Sequence, residues 1–358
     1  MKSEITIKEI ARMAGVSVST VSRVINHKPN VSPAKEAKIK QVIAESGFQP
    51  SMLARGMISN KTNTLGIIVP DITNPYFTAL ISQVELITRQ LNFSLLLFNT
   101  MTAGDDRSTN SVATEIQAFQ TIMEKKVDGL LILGGEIDRE QPNTDYVAAL
   151  KNLNNQIPVV VIGQPVAGLD CTFIPRYQAM SGQIITQHLL ASGYQHIAFL
   201  GGEPGVQITK ERLAGYQKMM NTYAHYDEQL VCLTDYYVSD GYDGMTQLLD
   251  QHADTLQAVV AINDQVALGA IRALNDHHLD CPRDIAIGSC DAFPNGAFFS
   301  PRLTTIDHHN TLLAKIAIER LINLATNTNV DEPLPTIEQP QLVIRESCGH
   351  QLRNGDDA

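Results

Sequence analysis

The 358-residue chain contains no tryptophan, and aromatic residues make up only 6% of it. Long apolar runs are missing as well. Stretches such as 65–70 and 159–163 fall far short of the ~20 residues needed to span a bilayer, so no membrane association is expected. The N-terminal MKSEITIKEI carries acidic residues and lacks the apolar centre of a secretory signal, so the expected location is cytoplasmic. Cysteine is sparse: five residues (171, 232, 281, 290, 348) and no C-x-x-C pair. That excludes a disulfide framework or zinc finger and suits a reducing compartment. Catalytic signatures are absent too. There is no G-x-S-x-G elbow or Walker loop, and no G-x-G-x-x-G follows an apolar run, so an enzyme is not expected. The run Gly201-Gly202-Glu203-Pro204-Gly205 holds a Pro and a Glu that suit a phosphate cradle poorly. His277-His278 and Asp307-His308-His309 lack further ligands at zinc spacing, so neither a metal nor a cofactor is expected.

What is present is a soluble globular composition, 44% hydrophobic and 18% charged, with length for two or three domains. The charge is uneven. Residues 1–61 hold ten Lys/Arg against four Asp/Glu, a net of +6, while the whole chain sums to −11. The remainder therefore carries −17. A basic head on an acidic body points to nucleic-acid binding confined to the head.

Thr6-Ile7-Lys8-Glu9 fits a capping box. Ile7, Ile10, Ala11 and Ala14 then share one helical face. Gly15 interrupts, and Ser17 can cap a second helix to about Ile25, with Val21 and Val24 inward. Ser32 and Pro33 read as the cap and first position of a third helix ending near Gly47, with Ile39, Val42 and Ile43 as its apolar positions. Three short helices with a tight Ala-Gly-Val turn make a helix-turn-helix plan. Its second helix would present Val18, Ser19, Ser22 and Arg23 to the major groove, with Arg23 able to pair bidentately with guanine. Ser17, Thr20 and Asn26 suit phosphates, which position without specifying.

The run from Ile7 to Asn26, IKEIARMAGVSVSTVSRVIN, resembles the headpiece of the lactose repressor/galactose repressor (LacI/GalR) family. The resemblance implies that Val18, Ser19 and Arg23 reach base edges of double-stranded operator DNA, with Thr6 and Asn30 adding contacts. It also divides the chain into a headpiece over 1–48, a hinge over 49–61, an effector-binding and dimerisation core over 62–347 and a tail over 348–358. The stretch 50–58 carries the apolar set Met52, Leu53, Met57 and Ile58, yet with an internal glycine it should not hold an isolated helix in water. It resembles the family's hinge helix, which forms on the operator and wedges an apolar side chain into the minor groove. Met57 is the matching wedge, with Leu53, Ala54 and Arg55 in or beside the groove.

From Thr64 onward, short apolar runs at 65–69, 94–98, 129–133, 158–162, 196–201, 258–262 and 285–288 are separated by helix-length amphipathic stretches. That pattern predicts parallel α/β sheets with helices on both faces, in two lobes. Ligands bind beyond the carboxyl ends of such strands. The segments there are 71–77, 99–104, 134–137, 163–165, 201–212, 263–264 and 291–293, rich in Asn, Asp, Arg and aromatics, which suits a polyhydroxylated ligand.

Further landmarks resemble the family's periplasmic-binding-protein-like core. They are Asp71-Ile72-Thr73-Asn74-Pro75-Tyr76-Phe77, Gly193-Tyr194-Gln195-His196-Ile197, Arg212-Leu213-Ala214-Gly215-Tyr216, Asn263-Asp264, Asp291 and a closing strand Ile344-Arg345-Glu346-Ser347. The effector set so implied is Asn74, Tyr76, Phe77, Gln164, Arg176, Arg212, Tyr236, Asn263, Asp264 and Asp291. Family topology implies three crossings between lobes, near 163–165, 291–294 and 324–328. Two departures stand out. Pro175-Arg176 replaces the usual Asp-Asn, and Ser289-Cys290-Asp291-Ala292 keeps one carboxylate of two.

The expectation is a homodimeric repressor of a carbohydrate operon, switched by a small sugar. A purine or nucleoside is the alternative effector, and Arg176 opens the possibility of a phosphorylated or acidic sugar. A periplasmic sugar-binding protein would need a signal peptide and would not carry the head. No leucine heptad follows residue 348, so a tetramerising tail is not expected.

Overall fold

The computed structural model describes residues 5–25, 29–48, 61–104, 110–292, 296–328 and 336–350. Asn26, most of the expected hinge with Leu53, Ala54, Arg55 and Met57, and the tail from 351 lie outside the described residues. The chain divides into two compact units, Met1–Thr62 and Asn63–Ala358.

In the first unit, α1 (Ile7–Ala14), α2 (Val18–Ile25) and α3 (Pro33–Ser46) form the three-helix plan. The Thr6 hydroxyl accepts from Glu9 N while Glu9 Oε2 accepts from Thr6 N at 2.7 Å, which closes the capping box. Gly15 turns the chain at φ 70°, so Val16 N reaches Ala11 O at 3.0 Å. That left-handed conformation is why a glycine stands there. Ser17 Oγ accepts from Thr20 N and caps α2. Ser32 occupies the cap position of α3 but its side chain makes no cap bond, leaving the start to Pro33. Ile10, Ala11, Ala14, Val21, Val24, Ile39 and Val42 make the core.

The second unit begins with β1 (Thr64–Val69), α4 (Pro75–Gln90), β2 (Ser94–Asn99), α5 (Ser111–Lys125), β3 (Gly129–Ile132), α6 (Thr144–Asn154), β4 (Val159–Ile162) and β5 (Thr172–Ile174). It continues through α7 (Gln178–Ala191), β6 (Ile197–Leu200), α8 (Gln207–Tyr223), β7 (Val231–Cys232), α9 (Val238–His252), β8 (Ala258–Ala261), α10 (Asp264–Asp276) and β9 (Ala286–Ser289). It ends with β10 (Thr305–Asp307), α11 (Asn310–Thr326) and β11 (Gln341–Val343). One parallel sheet has the order β2-β1-β3-β4-β5 and the other β7-β6-β8-β9. Strands β3, β4, β6, β8 and β9 are buried at every residue, as strands covered by helices on both faces must be. Each order reverses beside its first strand, and that switch point is where an open α/β sheet takes a ligand.

All seven apolar runs are strands, but two expectations need correction. The closing strand is β11 at Gln341–Val343, antiparallel to β10, and 344–347 lie beyond it. The lobe crossings are also displaced. Because β5 pairs with β4, the chain has not left the first sheet at 163–165 and crosses at 175–177. β10 still packs with the second lobe through Ile306, while α11 packs with the first, so the second crossing is at 308–309. Ile337 packs on the first lobe and Leu342 on the second, which puts the third after 337.

Candidate functional site

In the basic head, Val18, Ser19 and Arg23 are exposed on α2, Thr20 and Ser22 half-buried. Ser17 Oγ lies 2.8 Å from both Ser19 Oγ and Thr20 Oγ1, a hydroxyl cluster at the start of the helix. Thr6 is exposed with its hydroxyl engaged in the cap, and Asn30 is exposed at φ 76°.

In the second unit, the carboxyl ends of both sheets converge on one cavity of about 160 Å³. Asn74, Tyr76, Phe77, Gln164, Arg176, Arg212, Tyr236, Asn263 and Asp291 all line it. Asp264 does not, which corrects the expectation for that residue. Fully buried, it accepts from Thr305 Oγ1 at 2.8 Å and ties α10 to β10. Asn263 instead caps α10 through Val266 N at 2.9 Å and donates to Tyr236 O at 2.9 Å. Asn74 similarly caps α4, accepting from Tyr76 N at 3.0 Å. The Tyr76 and Phe77 rings meet edge to face with centroids 5.1 Å apart.

Arg212, only 1% exposed, spends its whole fork on the protein. Nε donates to Gln178 Oε1 at 2.9 Å, Nη1 to Ile262 O at 2.5 Å and Nη2 to Asp291 Oδ2 at 2.7 Å. Three elements of the second lobe thus meet on one guanidinium. Burial pushes the Asp291 carboxyl up, but Arg212, with His308 and Arg176 beside it, more than reverses this and holds it at about 2. His308 is pushed down to about 3 by burial and contacts Cys290 O at 2.9 Å. Arg176, just beyond β5, donates through Nη1 to Tyr76 Oη at 2.7 Å and lies over that ring at 4.9 Å. Its Nη2 stands 3.6 Å from Asp291 Oδ2, longer than a hydrogen bond, and neither Nε nor Nη2 has a hydrogen-bond partner. Its side chain is 8% exposed, so these are buried donors whose hydrogen-bonding capacity is unspent, at a residue that lines the cavity.

Tyr237, Arg139 and Glu115 line the cavity and were not legible as site residues. Tyr237 Oη donates to Asp71 Oδ2 at 2.7 Å, joining the two lobes on one side of the cleft. On the other side Arg139 pairs with Glu203 at 2.9 Å, and Glu140 both pairs with Lys210 at 2.7 Å and donates its amide to Gly205 O at 2.9 Å. Glu115 Oε1 accepts from Thr102 Oγ1 and Glu136 N, each at 3.0 Å, while Oε2 is buried without a partner. Burial pushes this carboxyl up to about 7, against those two hydrogen bonds.

A carboxyl raised from an ordinary 4.5 favours folding in its protonated form. That contribution is whole below about 4.5 and is lost as pH climbs through 7. Glu115→Gln mimics the neutral group, so its stability relative to the parent should rise between pH 5 and pH 8 by about 1–3 kcal/mol. Urea midpoints at the two pH values measure this, and a difference independent of pH would refute the assignment.

Among the described residues the cavity lining carries six carboxyls against three guanidiniums. The five cysteines are free thiols. No group of described residues could hold a metal ion, and no described helix is long and apolar enough to cross a membrane.

Comparison with known proteins places both units. Residues 6–51 match the model of bacterial regulatory proteins of the lacI family, and 186–348 match that of a periplasmic binding protein-like domain. The chain is 33% identical over 340 residues to the ribose operon repressor of Escherichia coli K12, spanning 95% of this chain and 96% of that one. It is 33% identical over 349 residues to the transcriptional repressor PurR of Pasteurella multocida (strain Pm70), spanning 97% and 99%. Its fold is that of a lac repressor dimer solved on operator with an anti-inducer, with a TM-score of 0.81 at 23% identity over 97% and 99% of the two chains.

Proposed function

The chain belongs to the lacI family of bacterial regulatory proteins, and from that premise we propose that it is a cytoplasmic, homodimeric repressor whose hold on operator DNA is switched by a small neutral sugar. It acts by binding and not by catalysis. The observation that carries the reading is the cavity, where unspent guanidinium donors, carboxyl acceptors and four aromatic rings converge at the switch points of both sheets. Six carboxyls against three guanidiniums favour a hydroxyl donor over a phosphate dianion. A purine effector, as the name of the second relative suggests, is the competing outcome.

The head supplies operator contact through α2, with Arg23 reading a base and the Ser17, Ser19 and Thr20 hydroxyls near the backbone. Arg23→Ala should reduce discrimination between the specific and a scrambled duplex by about 5- to 150-fold per half-site and retain salt-dependent nonspecific binding. Fluorescence anisotropy at fixed salt, on DNA upstream of the protein's own gene, tests both the reading and the residue. Absence of any duplex preference in the parent protein would refute operator recognition. Unchanged preference in the variant would refute the role of Arg23.

A further inference from the structure

Asp291 is the carboxylate that the family resemblance offers to a ligand, yet one of its oxygens is already engaged. Oδ2 receives Arg212 Nη2 and faces Arg176 Nη2 as well, while the buried Oδ1 has no hydrogen-bond partner among the described residues and lies 4.0 Å from His308 Nε2. A second carboxyl in the same cavity is differently placed. Asp138 closes the 3-10 turn Glu136–Asp138 after β3 and has no side-chain hydrogen bond among the described residues.

Two glycines make room for it. A Cβ on Gly134 would stand 3.2 Å from Asp138 Oδ2, and a Cβ on Gly163 would stand 3.1 Å from Oδ1. Both approaches are tighter than ordinary contact. The Asp138 carboxyl therefore fills the space at the ends of β3 and β4 that strand-end side chains would otherwise take. The rim of the Phe77 ring borders the same gap, 3.3 Å from the Gly134 position. Arg176 is the cation that acts on this carboxyl, against a burial that pushes it up to about 7.

Unspent acceptors at Asp138, unspent donors at Arg176 and an aromatic edge at Phe77 thus share one wall. Two neighbouring hydroxyls on a sugar ring can donate to the two oxygens of one carboxyl while their own oxygens accept from a guanidinium. We propose that Asp138 is the specificity-determining carboxyl, gripping a vicinal diol of the sugar with Arg176 as its donor partner, while Asp291 holds the two arginines in place. This rests on the sugar reading above.

The test is calorimetric titration of the full-length protein with ribose, xylose, arabinose, glucose, galactose, cellobiose, adenine, guanine and ribose 5-phosphate. The parent protein is expected to bind at least one of the neutral sugars. Asp138→Asn, nearly isosteric, should weaken that sugar by about 10- to 150-fold, the range for losing hydrogen bonds to a charged group. Deoxy analogues lacking the gripped hydroxyls should lose affinity for the parent protein and little for the variant, a coupling that mere misfolding does not produce. Asp138→Ser takes its place if the Asn variant fails to fold.

A sugar bound within twofold by parent and variant would overturn the assignment of Asp138 and leave the sugar reading standing. Binding of only a purine or ribose 5-phosphate, or of nothing in the panel, would overturn the sugar reading and the diol grip with it.

Discussion

Gly215→Val is expected to cost the protein more than about 4 kcal/mol, most of the stability of an ordinary domain. Gly215 on α8 and Gly182 on α7 are where the two helices cross backbone to backbone. A Cβ on Gly215 would lie 2.1 Å from Ala179 O, and one on Gly182 would lie 2.2 Å from Arg212 O. Neither obstacle is the end of a flexible side chain, so the helices themselves must separate. That separation would open the second lobe's core around Ile185, Leu189, Tyr216 and Met220, all buried. Overpacking alone typically costs 1–3 kcal/mol, and a backbone obstacle allows less relief. Gly168→Ala is the contrast. Its φ of 83° strains an alanine, yet nothing lies within 4 Å of the added carbon, so a loss near 1 kcal/mol is expected. With no tryptophan in the chain, urea unfolding followed by tyrosine emission and circular dichroism gives the comparison. Equal losses in the two variants would contradict the close crossing.

Arg212→Met should be nearly as damaging, by about 3–5 kcal/mol near neutrality, because it strands the Asp291 carboxylate in the interior. It removes at one stroke the donors to Gln178, Ile262 and Asp291. The pH dependence identifies the cause. In the parent protein the Asp291 carboxyl is held near 2 against an ordinary 3.8, so its stabilising contribution is whole above about 4 and lost as pH falls towards 2. Without the guanidinium, burial dominates and the protonated form is favoured instead. The gap between parent and variant should therefore narrow as pH falls from 6 to 3. A constant gap would mean that Arg212 acts through packing alone. Sugar binding should be lost in this variant, since Arg212 and Arg176 share Asp291.

Much of this was readable before any coordinates. The seven apolar runs are strands, most of them because consecutive residues buried on both faces must be apolar, while edge strand β2 is only partly covered. β5 and β7 carried no such signal: Thr172-Phe173-Ile174 and Val231-Cys232 are too short for periodicity to register. The crossing that family topology implied at 163–165 takes no account of β5, whose pairing with β4 keeps the chain in the first sheet to Ile174. Residues of the site at strand ends, such as Asn74 and Asn263, were legible because they fall in the segments that follow apolar runs and match family landmarks, whereas their capping of the next helix shows only in the structure. Asp264 was misread because adjacent residues at a helix start face opposite ways, and only packing against Thr305 decides which one meets the cavity. Asp138 lay one position past the segment judged to bear ligand contacts. Its reach back towards Gly134 and Gly163 is a property of the 3-10 turn, to which apolar periodicity is blind.

The central claim is that the ligand of the core and the DNA of the head are thermodynamically coupled. Anisotropy titration of the full-length protein on its specific duplex, at about 150 mM salt with and without the saturating sugar, tests it most directly. The account predicts a change in operator affinity of about 5- to 150-fold, matched by the same factor in the sugar's affinity for the DNA-bound protein, since such coupling is reciprocal. Operator affinity that stays the same while calorimetry shows the sugar bound would contradict it.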